Sequence, residues 1–140
     1  MSEFQKEGDF ELSADALWRV VRDFGDVSWL PGHPDFESAG GGVGMIRTIR
    51  TPRLPAVRER LDAIDEAGRA IHYALIEGNP MPVRDYRATM KVVDLGAGRS
   101  RLEWSSRWEP DGVSEREARA AVDALYTGVL GAMKANLEKG

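Results

Sequence analysis

The sequence predicts an α+β fold, and three observations predict it. Alternating apolar and polar residues recur in consecutive segments after residue 42, with short turns between them. A long amphipathic segment closes the chain, and a shorter one follows the first strand-like stretch. Consecutive strands on short turns favour an antiparallel meander over the doubly wound arrangement, in which strands and helices alternate. The expected layout is a strand, two short helices, about six further strands and a long helix, giving a sheet of about seven strands.

Each element has a local cause. Glu3 to Leu12 carries Phe4, Phe10 and Leu12 among polar neighbours, as an edge strand does. Ser13 or Ala14 then opens a helix with Ala16, Leu17, Val20, Val21 and Phe24 on one face, and Gly25 is expected to end it. Asp26 to Leu30 is read as a second short helical turn, which Pro31, Gly32 and Pro34 stop. From Phe36 onward the period is that of strands and turns. Val43 to Thr51 is a strand ended by Pro52 and Pro55. Val57 to Ile64 follows, with Val57, Glu59 and Leu61 on one face and Arg58, Arg60 and Asp62 on the other. After the turn Asp65-Glu66-Ala67-Gly68, a strand runs from Ala70 to Gly78, and Pro80 and Pro82 break the ladder. Tyr86 to Leu95 alternates Tyr86, Ala88, Met90 and Val92 against Arg87, Thr89 and Lys91. The turn Gly96-Ala97-Gly98 leads to Arg101–Glu109, where Leu102, Trp104, Ser106 and Trp108 face inward.

The terminal helix is expected from Ser114 to Glu138. Ser114 precedes Glu117 at capping-box spacing. Ala118, Ala121, Val122, Leu125, Tyr126, Val129, Leu130, Met133 and Leu137 then form a single stripe. Such a helix spans about 37 Å and needs a broad apolar surface, which the strands supply. Gly128 and Gly131 inside it cost about 1 kcal/mol each relative to alanine. Room for a ligand or close helix–sheet packing would offset that.

The totals exclude several classes. The 140 residues fit one domain, 1–140, with a core of its own. With 23 acidic against 19 basic residues there is no strong positive field, so a nucleic-acid partner is not expected. The absence of cysteine removes disulfides and thiolate chemistry. The N-terminus lacks a basic-then-apolar leader and no run approaches ~18 apolar residues, so membrane insertion is not expected and a cytoplasmic location is. The two histidines, His33 and His72, show no metal-ligand spacing; neither a metal nor another cofactor is implied. Gly40-Gly41-Gly42-Val43-Gly44 precedes a strand and lacks a following Lys-Ser or Lys-Thr, so it is a turn rather than a phosphate loop.

Four stretches, in order, carry a resemblance: Ala14-Asp15-Ala16-Leu17-Trp18 before Asp23-Phe24-Gly25; Gly42-Val43-Gly44 before Arg47; Arg58-Glu59-Arg60-Leu61 before Asp65; and Tyr86-Arg87-Ala88-Thr89 before Glu103-Trp104-Ser105-Ser106. Over nearly its whole length the chain resembles the START/Bet v 1-like superfamily, also called the polyketide cyclase/dehydrase and lipid-transport family. That resemblance implies a helix-grip fold, a curved antiparallel sheet around the C-terminal helix with an apolar cavity between them. It implies a small apolar or aromatic ligand, lipid- or polyketide-like, and leaves the oligomeric state open.

With the strand faces above, the polar residues turned toward such a cavity are Glu59, Arg47, Tyr73, Glu77 and Tyr86. Arg47 and Glu59 fall on neighbouring strands, either as a polar anchor or acid/base pair for a ligand, or as an ion pair that satisfies itself and fixes register. Trp29 and His33 lie in the segment that, by the resemblance, borders the mouth; His33 is either a general acid or base or a surface-loop histidine. Trp104, Tyr126 and Met133, with Trp108, would line an aromatic ligand's pocket or serve as core. Three functions fit: a ligand carrier or sensor; a polyketide cyclase or dehydratase using Glu59, Arg47, Tyr73 and Tyr86 for proton transfer; or a co-chaperone-like interaction module. An apolar outer sheet face would favour the third, and Arg58, Arg60, Arg101, Glu103 and Arg107 argue against it.

Overall fold

The computed structural model describes residues 1–30, 32 and 34–138. The chain runs β1 (Ser2–Phe10), α1 (Ala14–Arg22), β2 (Asp35–Ala39), β3 (Ile46–Arg50), β4 (Val57–Asp65), β5 (Ala70–Glu77), β6 (Val83–Gly96), β7 (Arg99–Pro110) and α2 (Glu115–Leu137). All seven strands join one antiparallel sheet in the order β1-β7-β6-β5-β4-β3-β2. Six strands therefore form the expected meander, and β1 returns to the last of them. The long α2 packs over the β1–β7 end, which is the helix-grip arrangement.

Three interruptions bend the sheet. Asp62 is an extra residue in β4 between the pairs Leu61–Tyr73 and Ala63–His72. Ile76 is extra in β5, because Leu75 faces Glu59 while Glu77 faces Arg58. In β6, Asp85 and Tyr86 lie between the pairs Arg84–Glu109 and Arg87–Arg107, and Asp85 takes a positive φ of 55°. Each such bulge kinks its strand and increases the local twist. The sheet thus curls away beyond β1 and β7, and α2 packs chiefly against that end.

The helix termini follow the sequence. Ser13 caps α1, its hydroxyl accepting from the Ala16 N–H at 3.1 Å. Ser114 caps α2 in the same way, through the Glu117 N–H at 3.1 Å. Ala118, Val122, Tyr126, Val129, Leu130 and Met133 form the buried stripe of α2, against Leu102 and Trp108 in the core.

Several expectations need correction. Asp26 to Leu30 forms hydrogen-bonded turns, with the Leu30 N–H on Val27 O at 3.0 Å, so among the described residues α1 is the single helix between β1 and β2. That helix ends at Arg22, before Gly25. Gly25 instead lies close against β2 and the turn before β3, where a Cβ would stand 3.0–3.2 Å from Ser38 and Met45 side-chain atoms. The segment Val43–Thr51 contributes a shorter strand, β3, and Asp35–Ala39 forms an exposed edge strand of its own. β6 begins at Val83, earlier than alternation alone indicated, because Pro82 lies just outside the ladder and its carbonyl accepts from the Asp111 N–H at 2.9 Å. Gly128 and Gly131 are exposed, and a Cβ at either would meet nothing within 4 Å. Neither close packing nor a ligand accounts for them.

Candidate functional site

Where the sheet curls away from α2 an apolar cavity of about 250 Å³ remains. Its walls come from β3 to β7 (Ile49, Val57, Leu75, Met90) and from Leu125 and Val129 of α2. Three loop regions contribute to its rim, through Val27, Trp29, Leu30 and Pro34, through Thr51, Leu54 and Pro55, and through Gly78, Pro80 and Met81. Leu54 stands on this rim 60% exposed, an apolar side chain at the entrance. Gly78 is required there: its φ is +75° and a Cβ would fall 1.8 Å from the Ala56 carbonyl oxygen. Two rim loops touch at that point, and only glycine lets them.

Arg47 and Glu59 are direct cross-strand partners in β3 and β4, and both side chains point inward. The Arg47 Nε–H donates to Glu59 Oε1 at 2.8 Å, and its Nη1 donates to the Phe24 carbonyl at 3.1 Å. The guanidinium carbon sits 3.8 Å above the Phe24 ring centroid and 5.3 Å from that of Tyr73. Four contacts of three kinds thus hold one guanidinium in place. Arg47 is 5% and Glu59 8% exposed, so the pair is buried and internally neutral.

The aromatic wall is a second network. The Trp104 indole N–H donates to the Tyr73 hydroxyl at 3.0 Å. Indole nitrogen is a donor only, so Tyr73 accepts and keeps its own proton to give. Tyr86 and Tyr126 share a hydrogen bond through their hydroxyls. The Tyr126 ring stacks on Trp104 with centroids 3.6 Å apart and 3° between planes, and Phe4 meets it edge-on at 5.4 Å. Burial raises the Tyr73 and Tyr86 hydroxyl pKa values well above the ordinary phenol value, and the Glu59 charge adds to this at Tyr73. Burial raises that of Tyr126 as well. All three are therefore neutral donors over the physiological range.

The structure brings Arg47, Glu59, Tyr73, Tyr86, Trp104 and Trp29 to the cavity surface. Trp29 is anchored at the rim, its indole N–H on Asp26 O at 3.1 Å and its carbonyl accepting from Asn136 of α2 at 3.0 Å. Tyr126 and Met133 are fully buried behind this surface; Tyr126 acts on it through Trp104 and Tyr86. Glu77 lies elsewhere, exposed on the outer face and paired with Arg58 at 3.3 Å, because the extra Ile76 turns the strand over before it. His33 lies outside the described residues. Phe24, Leu125, Val129 and the rim residues other than Trp29 were not anticipated, although the proline pairs of two rim loops were a usable signal. Among the described residues no group of acidic and histidine side chains is arranged to hold a metal, and no helix is long and apolar enough to cross a membrane.

Residues 1–138 match the family model described as polyketide cyclase / dehydrase and lipid transport. No curated protein matches the sequence. Among solved structures, an uncharacterised protein from Bacillus thuringiensis superposes with a TM-score of 0.84 at 23% identity, over 96% of this chain and 98% of that one. Norcoclaurine synthase from Thalictrum flavum, solved with dopamine and hydroxybenzaldehyde, gives 0.73 at 25% identity, over 99% and 88%. One part of the di-domain ARO/CYC protein BexL, from the BE-7585A biosynthetic pathway, gives 0.81 at 20% identity, over 99% of this chain and 47% of that one.

Proposed function

The chain belongs to the polyketide cyclase/dehydrase and lipid transport family, and from that premise we propose that it holds one small apolar or aromatic ligand between sheet and α2. The observation that carries this is the cavity itself, apolar on most sides and furnished with a few fixed polar groups. A cavity of ~150 Å³ suffices for benzene, so about 250 Å³ suits one substituted ring system rather than a long acyl chain. The Tyr73 O–H is a donor awaiting an acceptor, which selects for a ligand oxygen such as a carbonyl. The Arg47–Glu59 pair contributes dipole and shape without net charge, so the ligand is expected to be neutral overall.

Titration with an environment-sensitive hydrophobic dye is expected to saturate at one site per chain. Replacing half-buried Leu75 by Trp, which extends into the cavity, should weaken that binding at least tenfold while the protein still unfolds cooperatively. Absence of saturation, or dye affinity indifferent to Leu75→Trp, would sink the proposal.

A second reading is favoured by one juxtaposition: a carboxylate, Glu59, and a proton-bearing phenol, Tyr73, face the same apolar space. On a carbonyl substrate, Glu59 would accept the proton of the carbon next to the carbonyl while Tyr73 donates to the carbonyl oxygen, giving the enol from which cyclisation or dehydration proceeds. A similar structure, norcoclaurine synthase, was solved with the aromatic molecules dopamine and hydroxybenzaldehyde, which supports an aromatic or carbonyl-bearing ligand for this reading. Glu59→Gln keeps the shape and removes the base. Turnover on candidate polyketone substrates should fall by about 10²–10⁴ with dye binding retained, and an unchanged rate excludes Glu59 from the chemistry. No comparable observation favours the interaction-module reading, since the outer face presents Arg58, Arg60, Glu103 and Arg107.

A further inference from the structure

The convex face of the sheet carries a second, polar groove that no part of the cavity explains. It crosses β5, β6, β7 and β1 and is lined by His72, Arg87, Thr89, Ser105 and Arg107. The register shows an unusual pairing: Arg87 of β6 stands directly opposite Arg107 of β7. Like charges facing each other across a ladder destabilise it. Arg107 is offset by Glu3, its partner in β1, at 3.1 Å. Arg87 has uncharged Ala74 on its other side and no acidic partner among the described residues. The acids at the two ends of the groove are engaged, Glu3 by Arg107 and Asp62 by Arg60 at 2.6 Å.

The next rung supplies neutral hydrogen-bonding groups. Thr89 faces Ser105, with His72 and Gln5 beyond them on either side. His72 Nδ1 lies 2.7 Å from Thr89 Oγ1, which fixes the imidazole beside the hydroxyl. Three guanidinium groups line the groove; Arg119 is held by Glu115 at 2.5 Å, and Arg87 and Arg107 share it with two hydroxyls, an imidazole and an amide. With Glu3 and Asp62 paired, the charge left over in the groove is the positive one of Arg87, which favours an anion. A carboxylate presents two oxygens and a single charge, whereas a phosphate presents three acceptor oxygens and up to two charges, matching two arginines and the adjoining hydroxyls.

We propose that this outer groove binds a phosphate group, seated between Arg87 and Arg107 with Thr89 and Ser105 completing its hydrogen bonds. The site lies on the opposite side of the sheet from the cavity, so it stands or falls independently of the ligand within. Being exposed, it is expected to be weak and salt-sensitive.

The test is an NMR titration of the full chain with inorganic phosphate at constant ionic strength, sodium chloride serving as the control. Saturable shifts are expected at the amides of His72, Arg87, Thr89, Ser105 and Arg107. Arg87→Ala should weaken phosphate binding about tenfold and, by relieving the facing charges, should melt no lower than the parent in phosphate-free buffer. A parallel arm sediments the protein with vesicles of phosphatidic acid or of phosphatidylcholine. Arg87-dependent pelleting with the former alone assigns a lipid headgroup; phosphate shifts without pelleting assign a soluble phosphate ester. Shifts that fail to saturate, that chloride reproduces or that survive Arg87→Ala unchanged would overturn the proposal, as would a lowered melting temperature for that variant.

Discussion

Replacing Glu59 by alanine is expected to destabilise the protein by about 3–5 kcal/mol, read from the midpoint of urea unfolding. The loss comes chiefly from what is left behind. Arg47 stays buried, held on the Phe24 ring and the Phe24 carbonyl, with no anion to balance it. The partner experiment separates this penalty from the value of the pair. Arg47→Met with Glu59→Leu removes both charges at similar volume, and replacing a buried pair by apolar side chains is often neutral or stabilising by ~1–4 kcal/mol. The double variant should therefore recover most or all of the stability lost by Glu59→Ala. It should also lose the preference for ligands bearing a polar edge. A single-variant loss below about 1 kcal/mol, the range of exposed pairs, would mean that cavity water solvates the charges and that the pair is not a dry anchor.

Alkaline titration should give the second large effect. The chain has three tyrosines, Tyr73, Tyr86 and Tyr126, and each is buried with its pKa raised above the ordinary value. Unfolded, each ionises near the ordinary value of about 10. Because the folded values lie higher, the folded state retains protons that the unfolded state releases. Their contribution to stability is thus fully present below pH ~10 and is lost as pH rises beyond it. Each phenol contributes a slope of up to about 1.4 kcal/mol per pH unit, so three give about 4 kcal/mol per pH unit. Tyrosinate absorbance is therefore expected to stay silent through the ordinary phenol range and to appear together with loss of circular dichroism. A tyrosine that ionises near pH 10 in a still-folded chain would contradict the burial of the aromatic network.

Much of this was legible because local and global demands agreed. The alternation of Leu102, Trp104, Ser106 and Trp108 needed no partner to be read, and β7 buries all four. The spacing of Ser114 and Glu117 sufficed to locate the start of α2. The inward face of Glu59 and its neighbourhood to Arg47 followed from period two alone. What could not be read was anything depending on a break in that period. Glu77 shares parity with Tyr73 and Leu75, yet the unpaired Ile76 sends it to the outer face. The cavity's other wall is tertiary: Leu125 and Val129 belong to the same stripe as true core residues, and only the curl of the sheet leaves them bordering space. The helical glycines misled for the opposite reason. A residue with nothing around it leaves the same mark in a sequence as one squeezed between backbones.

The extra residues at 62, 76 and 85 have a meaning for how such proteins diversify. A strand that skips a beat furnishes the inner wall up to the skip and the outer skin after it. Gain or loss of one residue inside a strand, through one codon, reassigns every side chain from that point to the strand's end to the other surface. Ligand preference in this architecture can therefore change in one step by length, where substitution would need several.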